Sequence, residues 1–160
     1  MSGTDVTGDT PLSRRVVIGQ DETGKSAVIF DSMSAPLLSH KYPGVATAML
    51  WKEGETMDVA SQDDQLEVFQ DVPVPVGGTR FFMNRIEPGV RTEVHTTKTV
   101  EYHYVVSGRI IALLEGEDVE LTAGDTIVMR GTPHGWYNPS ETEPWIDFAT
   151  MVDMSSSFDE

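Results

Sequence analysis

The pattern of this chain predicts an all-β fold, an antiparallel sandwich or barrel, on three observations. Short apolar runs recur at even spacing from residue 80 to residue 152. The breaks between them carry turn residues: Pro88-Gly89, Ser107-Gly108, Gly116-Glu117-Asp118, Ala123-Gly124-Asp125 and Asn138-Pro139-Ser140. Helical periodicity is almost absent. Many short strands separated by Gly, Pro, Asn and Asp form sheets stacked or closed on one core, because each strand has only one face to bury.

Taken in order, residues 15–18, 26–30 and 46–51 read as strands, the first two divided by Asp21-Glu22-Thr23-Gly24. Acidic residues 58–70 have room for one short helix, and residues 73–78 form a stiff extended connection that ends in a Gly pair. The regular half then places strands at 80–86, 92–97, 100–106, 110–115, 119–121, 126–129, 135–138 and 145–152. Segments 1–12 and 153–160 are small and polar, and are expected to be flexible around one domain at 13–152. No internal repeat is visible.

Composition limits what such a barrel can do. The 160 residues suit a single core, and 39% hydrophobic with 23% charged residues is globular composition. A formal charge of −15 repels polyphosphates and anionic lipid, so neither nucleic acid nor membrane is an expected partner. No stretch approaches the roughly 20 apolar residues of a membrane span, and residues 1–15 lack the apolar core of a secretory signal, so a cytoplasmic address is expected. Cysteine is absent, which leaves nitrogen and oxygen as the only metal donors.

Three of the four histidines lie in the regular half; His40 precedes Lys41-Tyr42-Pro43-Gly44 and is assigned nothing. A hairpin centred on Lys98 would set His95 opposite Glu101. Opposed side chains start about 4.5–5.5 Å apart at their β-carbons. An imidazole and a carboxylate so placed can share an ion, whose bonds to N and O are about 2.0–2.2 Å. The period of two puts Glu93, Thr97 and His103 on the same face. That face is either the barrel interior or a polar outer wall with ordinary histidines, and the pattern fits both.

The residues resemble the cupin superfamily. Its first motif, G-x5-H-x-H-x3-4-E-x6-G, is matched in spacing by Gly89, His95, Glu101 and Gly108, with Thr97 where the second His belongs. Its second motif, G-x5-P-x-G-x2-H-x3-N, is similar to the stretch from Gly124 to Asn138. That stretch is one residue shorter before His134 and has Arg130 in place of Pro. The likeness runs over residues 13–152 and resembles small single-domain cupins.

What it implies is a double-stranded β-helix, or jelly roll, with a divalent ion on His95, Glu101 and His134. Two imidazoles and a carboxylate leave open positions and suit Fe(II), while Mn, Ni, Co or Zn would also be accepted. The alternative is a barrel that binds no metal, its histidines simply hydrogen-bonded. His103 is either a replacement ligand or a general acid/base, or else a buried partner of Glu93, which can alternatively orient a ligating imidazole. Asn84, Thr97, Arg130 and Trp136 are candidate substrate contacts. Phe82, Ile86, Tyr102 and Tyr104 fit core packing as well as a substrate wall, and Arg85 and Arg130 fit either a bound carboxylate or structural ion pairs.

Three functions follow as expectations. The leading one is a metal-dependent enzyme acting on a small aromatic or otherwise unsaturated molecule by oxygenase-type chemistry. The second uses the ion as a Lewis acid for isomerisation, cyclisation or elimination, and the third is a non-catalytic binding module. A homodimer is expected by family resemblance, with the two early strands as candidates for pairing.

Overall fold

In the structure, a computed structural model, residues 13–34, 38–39, 42–54, 63–64 and 74–154 are described. Eleven strands follow in chain order: β1 Arg14–Gln20, β2 Ser26–Met33, β3 Leu38–Ser39, β4 Val45–Glu53, β5 Thr79–Ile86, β6 Thr99–Ser107, β7 Arg109–Leu114, β8 Val119–Thr122, β9 Thr126–Arg130, β10 His134–Tyr137 and β11 Trp145–Asp153. The described residues contain no helix, and hence none long and apolar enough to cross a membrane. The short helix expected in 58–70, the segment 1–12 and His40 fall outside the described residues, apart from 63–64. β11 runs one residue past the expected strand end, to Asp153, and Met154 donates its N–H to the Lys98 carbonyl at 2.8 Å, while residues 155–160 of the expected tail lie outside the described residues.

Two sheets build the barrel wall. One has six strands in the order β3-β4-β5-β11-β6-β9, the other three in the order β10-β7-β8, and all pairs are antiparallel. Their inner faces share one apolar cluster: Val45, Ile86, Val105, Met129 and Trp145 from the larger sheet meet Ile110, Ala112, Leu121 and Trp136 from the smaller. A third, two-stranded sheet of β1 and β2 stands apart from both. Arg15 ties it to the barrel by donating to the Leu50 carbonyl at 3.5 Å and to Asp64 at 2.7 Å.

Strand β6 shows how the sequence sets the two faces. Thr99, Glu101, His103 and Val105 are buried, while Tyr102, Tyr104 and Val106 between them are exposed. A strand has period two, so the polar residues Glu101 and His103 are the ones the barrel encloses. The inward choice for this face, open in the sequence, is thereby decided.

The expected strand over residues 92–97 does not form; that segment makes a single isolated bridge, His95 with His134, and Arg91 just before it makes another with Tyr137. β6 is already paired with β11 on one edge and β9 on the other, so it has no free ladder for a hairpin partner. His95 therefore faces His134 rather than Glu101, each donating its backbone N–H to the other's carbonyl at 2.9 Å.

Gly108 is the joint between the sheets, separating β6 from β7 with φ at 77°. A β-carbon there would sit 2.6 Å from the Pro144 carbonyl oxygen. Gly108→Ala is expected to cost about 2 kcal/mol or more, combining left-handed strain with the clash. Thermal unfolding followed by circular dichroism should show Tm lower by about 4–8 °C, whereas an unchanged Tm would reject this role for the joint.

Candidate metal and catalytic centre

The barrel encloses a cavity of about 560 Å³. Its walls come from inward positions of β4, β5, β6, β10 and β11, among them Thr47, Phe82, Asn84, Glu101, His103, His134, Trp136 and Trp145, with His95 and Thr97 from the segment before β6. Of the candidate substrate contacts, Asn84, Thr97 and Trp136 line this cavity. Asn84 is held by accepting the Thr47 hydroxyl at 2.9 Å.

Glu101 is the centre of the polar array and is only 2% exposed. One carboxylate oxygen, Oε1, accepts a hydrogen bond from the Thr97 hydroxyl. The Thr99 hydroxyl lies 3.1 Å from the same oxygen and 2.9 Å from that of Thr97. The other oxygen, Oε2, faces His103 Nε2 at 3.3 Å and His134 Nε2 at 3.9 Å. Thr97, standing where a fourth ligand would be, has become a donor to the carboxylate.

His103 is bracketed. Its Nε2 faces Glu101, and its Nδ1 lies 2.5 Å from Asp147 Oδ2, on the neighbouring strand β11. Asp147 is fully buried, and its Oδ1 accepts the Asn84 backbone N–H at 3.2 Å. Burial alone pulls the imidazole's pKa down, but hydrogen bonds to Asp147 and Glu101, with both carboxylate charges, raise it to about 9. Burial likewise pushes the Glu101 carboxyl up. Hydrogen bonds from His103 and Thr97, with the charges of His134 and His103, more than offset this and hold it at about 2. The result is a buried imidazolium between two carboxylates.

The other two imidazoles are oriented by backbone carbonyls. His134 Nδ1 lies 2.9 Å from the Thr132 carbonyl oxygen, and His95 Nδ1 lies 3.2 Å from that of Glu93. A carbonyl only accepts, so each Nδ1 is the protonated nitrogen and each Nε2 keeps a lone pair for a ligand. Burial lowers the pKa of His134, outweighing the Thr132 carbonyl and the Glu101 charge, which favours the neutral ring that metal ligation needs. The two rings stand with centroids 4.7 Å apart.

This donor set fits a divalent ion in its chemistry. Two bonds of about 2.0–2.2 Å can span the 3.9 Å between His134 Nε2 and Glu101 Oε2. Among the described residues, no three His, Cys, Asp or Glu side chains already gather around one point. Holding an ion on three donors therefore requires a side-chain movement, and His95, exposed at the rim, has the room for it.

Two expected site residues lie elsewhere. Glu93 is exposed and accepts the Tyr42 hydroxyl at 3.3 Å, so it does not pair with His103; with the 92–97 hairpin gone, Asp147 takes that place. Arg130 is exposed on β9 next to inward-facing Met129, and alternation turns it away from the cavity. Tyr102 and Tyr104 also face outward, and Arg85 binds Glu87 at 2.7 Å. The residue that sequence reasoning missed is Asp147. Its signal was present, as a single acid inside the apolar strand stretch Trp145-Ile146-Asp147-Phe148-Ala149.

Comparison with known proteins agrees with this architecture. A family model for the cupin domain matches residues 82–146, a stretch that contains both motifs. Among curated proteins, phomopsin biosynthesis cluster protein C' of Diaporthe leptostromiformis is 33% identical over 86 residues, covering 53% of this chain and 45% of that protein. Oryzines biosynthesis cluster protein J of Aspergillus oryzae is 32% identical over 87 residues, covering 54% and 48%. The chain spans about half the length of the curated relatives it matches. Among solved structures, the cupin domain of Schizosaccharomyces pombe Cnp3 superposes with a TM-score of 0.57 at 10% identity, covering 90% of each chain. An RmlC-like cupin from Shewanella frigidimarina gives 0.51 at 18% identity, covering 78% of this chain and 88% of that one. At such identities the likeness is one of fold.

Proposed function

We propose that this chain, which has the cupin fold and matches the cupin domain model over residues 82–146, is an enzyme carrying out metal-assisted proton transfer on a small aromatic or unsaturated molecule held in the barrel. Cyclisation, isomerisation and elimination are the reaction types this covers. The observation that carries the reading is His103, buried in the cavity wall between Asp147 at 2.5 Å and Glu101 at 3.3 Å. An imidazole so fixed serves as proton carrier, Asp147 fixing its orientation and tautomer. The relatives named as biosynthesis cluster proteins support a small-molecule substrate.

His95, Glu101 and His134 would hold the ion, which when bound supplies Lewis-acid polarisation of a substrate oxygen. Around it the chain does the rest. Trp136 walls the cavity beside His103, ring centroids 5.3 Å apart, and Asn84 presents its amide from β5. The buried apolar positions nearby limit water, which strengthens every charge interaction in the site.

A second reading, oxygenase chemistry with Fe(II), is supported by the donor set itself, since two His and one Glu without the fourth ligand resemble the arrangement that leaves room for dioxygen. Mass spectrometry separates the two. Purified protein incubated with extract of cells lacking it should convert a component without air, leaving its mass unchanged or lowered by one water. A product gaining one or two oxygen atoms, formed only in air, would overturn the first reading in favour of the second. No conversion under either condition would leave a binding module.

Thr97→His restores the usual donor in a position that already touches Glu101. It is expected to tighten binding of Zn(II) by at least about tenfold in a competition assay with a chromophoric chelator. Unchanged affinity would mean that residue 97 does not address the ion.

A homodimer through β1 and β2 is part of this proposal. Val16, Ile18 and Val28 on that hairpin are all exposed, and a second copy would cover them. Sedimentation equilibrium giving the monomer mass would exclude it.

A further inference from the structure

The described residues contain two buried side-chain polar atoms without a hydrogen-bond partner, Arg15 Nε and Trp145 Nε1. The first belongs to a guanidinium whose other nitrogens are engaged by Asp64, outside the cavity. The second is different. Trp145 is 0% exposed and is one of the residues that line the barrel cavity. Indole offers a donor and no acceptor, and a buried N–H left unpaired costs about 1–3 kcal/mol, so native proteins rarely leave one without a partner. No group among the described residues supplies the acceptor here.

Position gives this donor meaning. Trp145 lies on β11 one inward step from Asp147, the residue that holds His103. Its ring packs on Trp136 with centroids 5.1 Å apart and planes inclined by 32°, and Trp136 in turn stands 5.3 Å from His103 and 6.1 Å from His134. Phe82 and Ile86 add apolar wall from β5. This part of the cavity wall therefore combines flat aromatic surface, one unanswered N–H and the His103 imidazole.

We infer that Trp145 Nε1–H is the recognition donor for a carbonyl or similar acceptor oxygen on a flat aromatic or conjugated substrate, seating that oxygen beside the His103 pocket. Trp145 is a binding and positioning residue in this account. The inference rests on the cavity being the substrate site, as proposed above, but its test needs neither turnover nor metal.

The test uses the full chain labelled with ¹⁵N. Its three tryptophans give three indole N–H resonances, and Trp145→Phe identifies the one in question; should that variant misfold, Trp136→Phe and Trp51→Phe identify it by elimination. Two nearly isosteric probes are titrated, 2-acetylnaphthalene, which offers an acceptor, and 2-isopropenylnaphthalene, which does not. The Trp145 indole proton is expected to move downfield with the ketone and not with the alkene, and the ketone should bind about fivefold more tightly, a preference that Trp145→Phe abolishes. A stationary Trp145 resonance at saturating ketone, equal affinity of the two probes for the unmodified protein, or no binding of the ketone up to its solubility limit would each overturn it. If the resonance moves as expected while no cell extract is converted, the inference stands and the catalytic reading falls.

Discussion

Asp147→Ala is expected to destabilise the protein by about 3–5 kcal/mol, among the largest effects any single substitution here should have, because it strips a buried charge of its partner. Asp147 is fully enclosed and touches His103 Nδ1 at 2.5 Å while its second oxygen accepts the Asn84 N–H. Removing it leaves an imidazole N–H and a backbone N–H unanswered inside the barrel. For a chain of this size Tm should fall by about 10 °C. Asp147→Asn, which keeps the shape and one acceptor, should lose less. In metal-stripped protein the effect has a pH signature. The folded pKa of His103 is raised, so the stability its charged form draws from Asp147 is whole below its ordinary value of 6.5 and fades as pH rises through about 9. Chemical unfolding curves for the two proteins that differ equally at every pH would remove the ion pair from the explanation.

His103→Gln should lower turnover by about a hundredfold to ten-thousandfold, the range that a positioned proton carrier contributes. Glutamine retains hydrogen-bonding capacity toward Asp147 and Glu101 but cannot exchange a proton near neutral pH. The readout is kcat for whichever extract component the unmodified protein converts, together with bound metal by elemental analysis. Metal content should be unchanged, since His103 is a proton carrier in this account and His95, Glu101 and His134 hold the ion. Full turnover with full metal would take His103 out of the mechanism; loss of both would make it a ligand instead.

The parts of this centre that were legible in the sequence are those carried by short spacings. Gly89, His95, Glu101 and Gly108 keep a motif's intervals, and Glu101 and His103 share a face because a strand has period two. Turn residues marked ten of the strands closely, down to the joint at Gly108. What escaped was decided by pairing between distant strands. The hairpin that would have placed Glu93 beside His103 required a free edge on β6, and β11 and β9 occupy both. Asp147 meets His103 across 44 residues of sequence, solely because β11 returns to insert between β5 and β6. No local pattern encodes that return. Arg130 was misjudged for a smaller reason, since one step of register on β9 separates the inner face from the outer.

Metal stoichiometry tests the central claim most directly, that His95, Glu101 and His134 converge on one ion within the cavity that holds His103. Protein reconstituted with Fe(II) or Zn(II), freed of excess and analysed for bound metal should hold about one equivalent, falling below about a tenth in Glu101→Gln and His134→Ala variants that retain the strand-rich circular dichroism spectrum. Less than about a tenth of an equivalent in the unmodified protein under the same conditions would contradict the account.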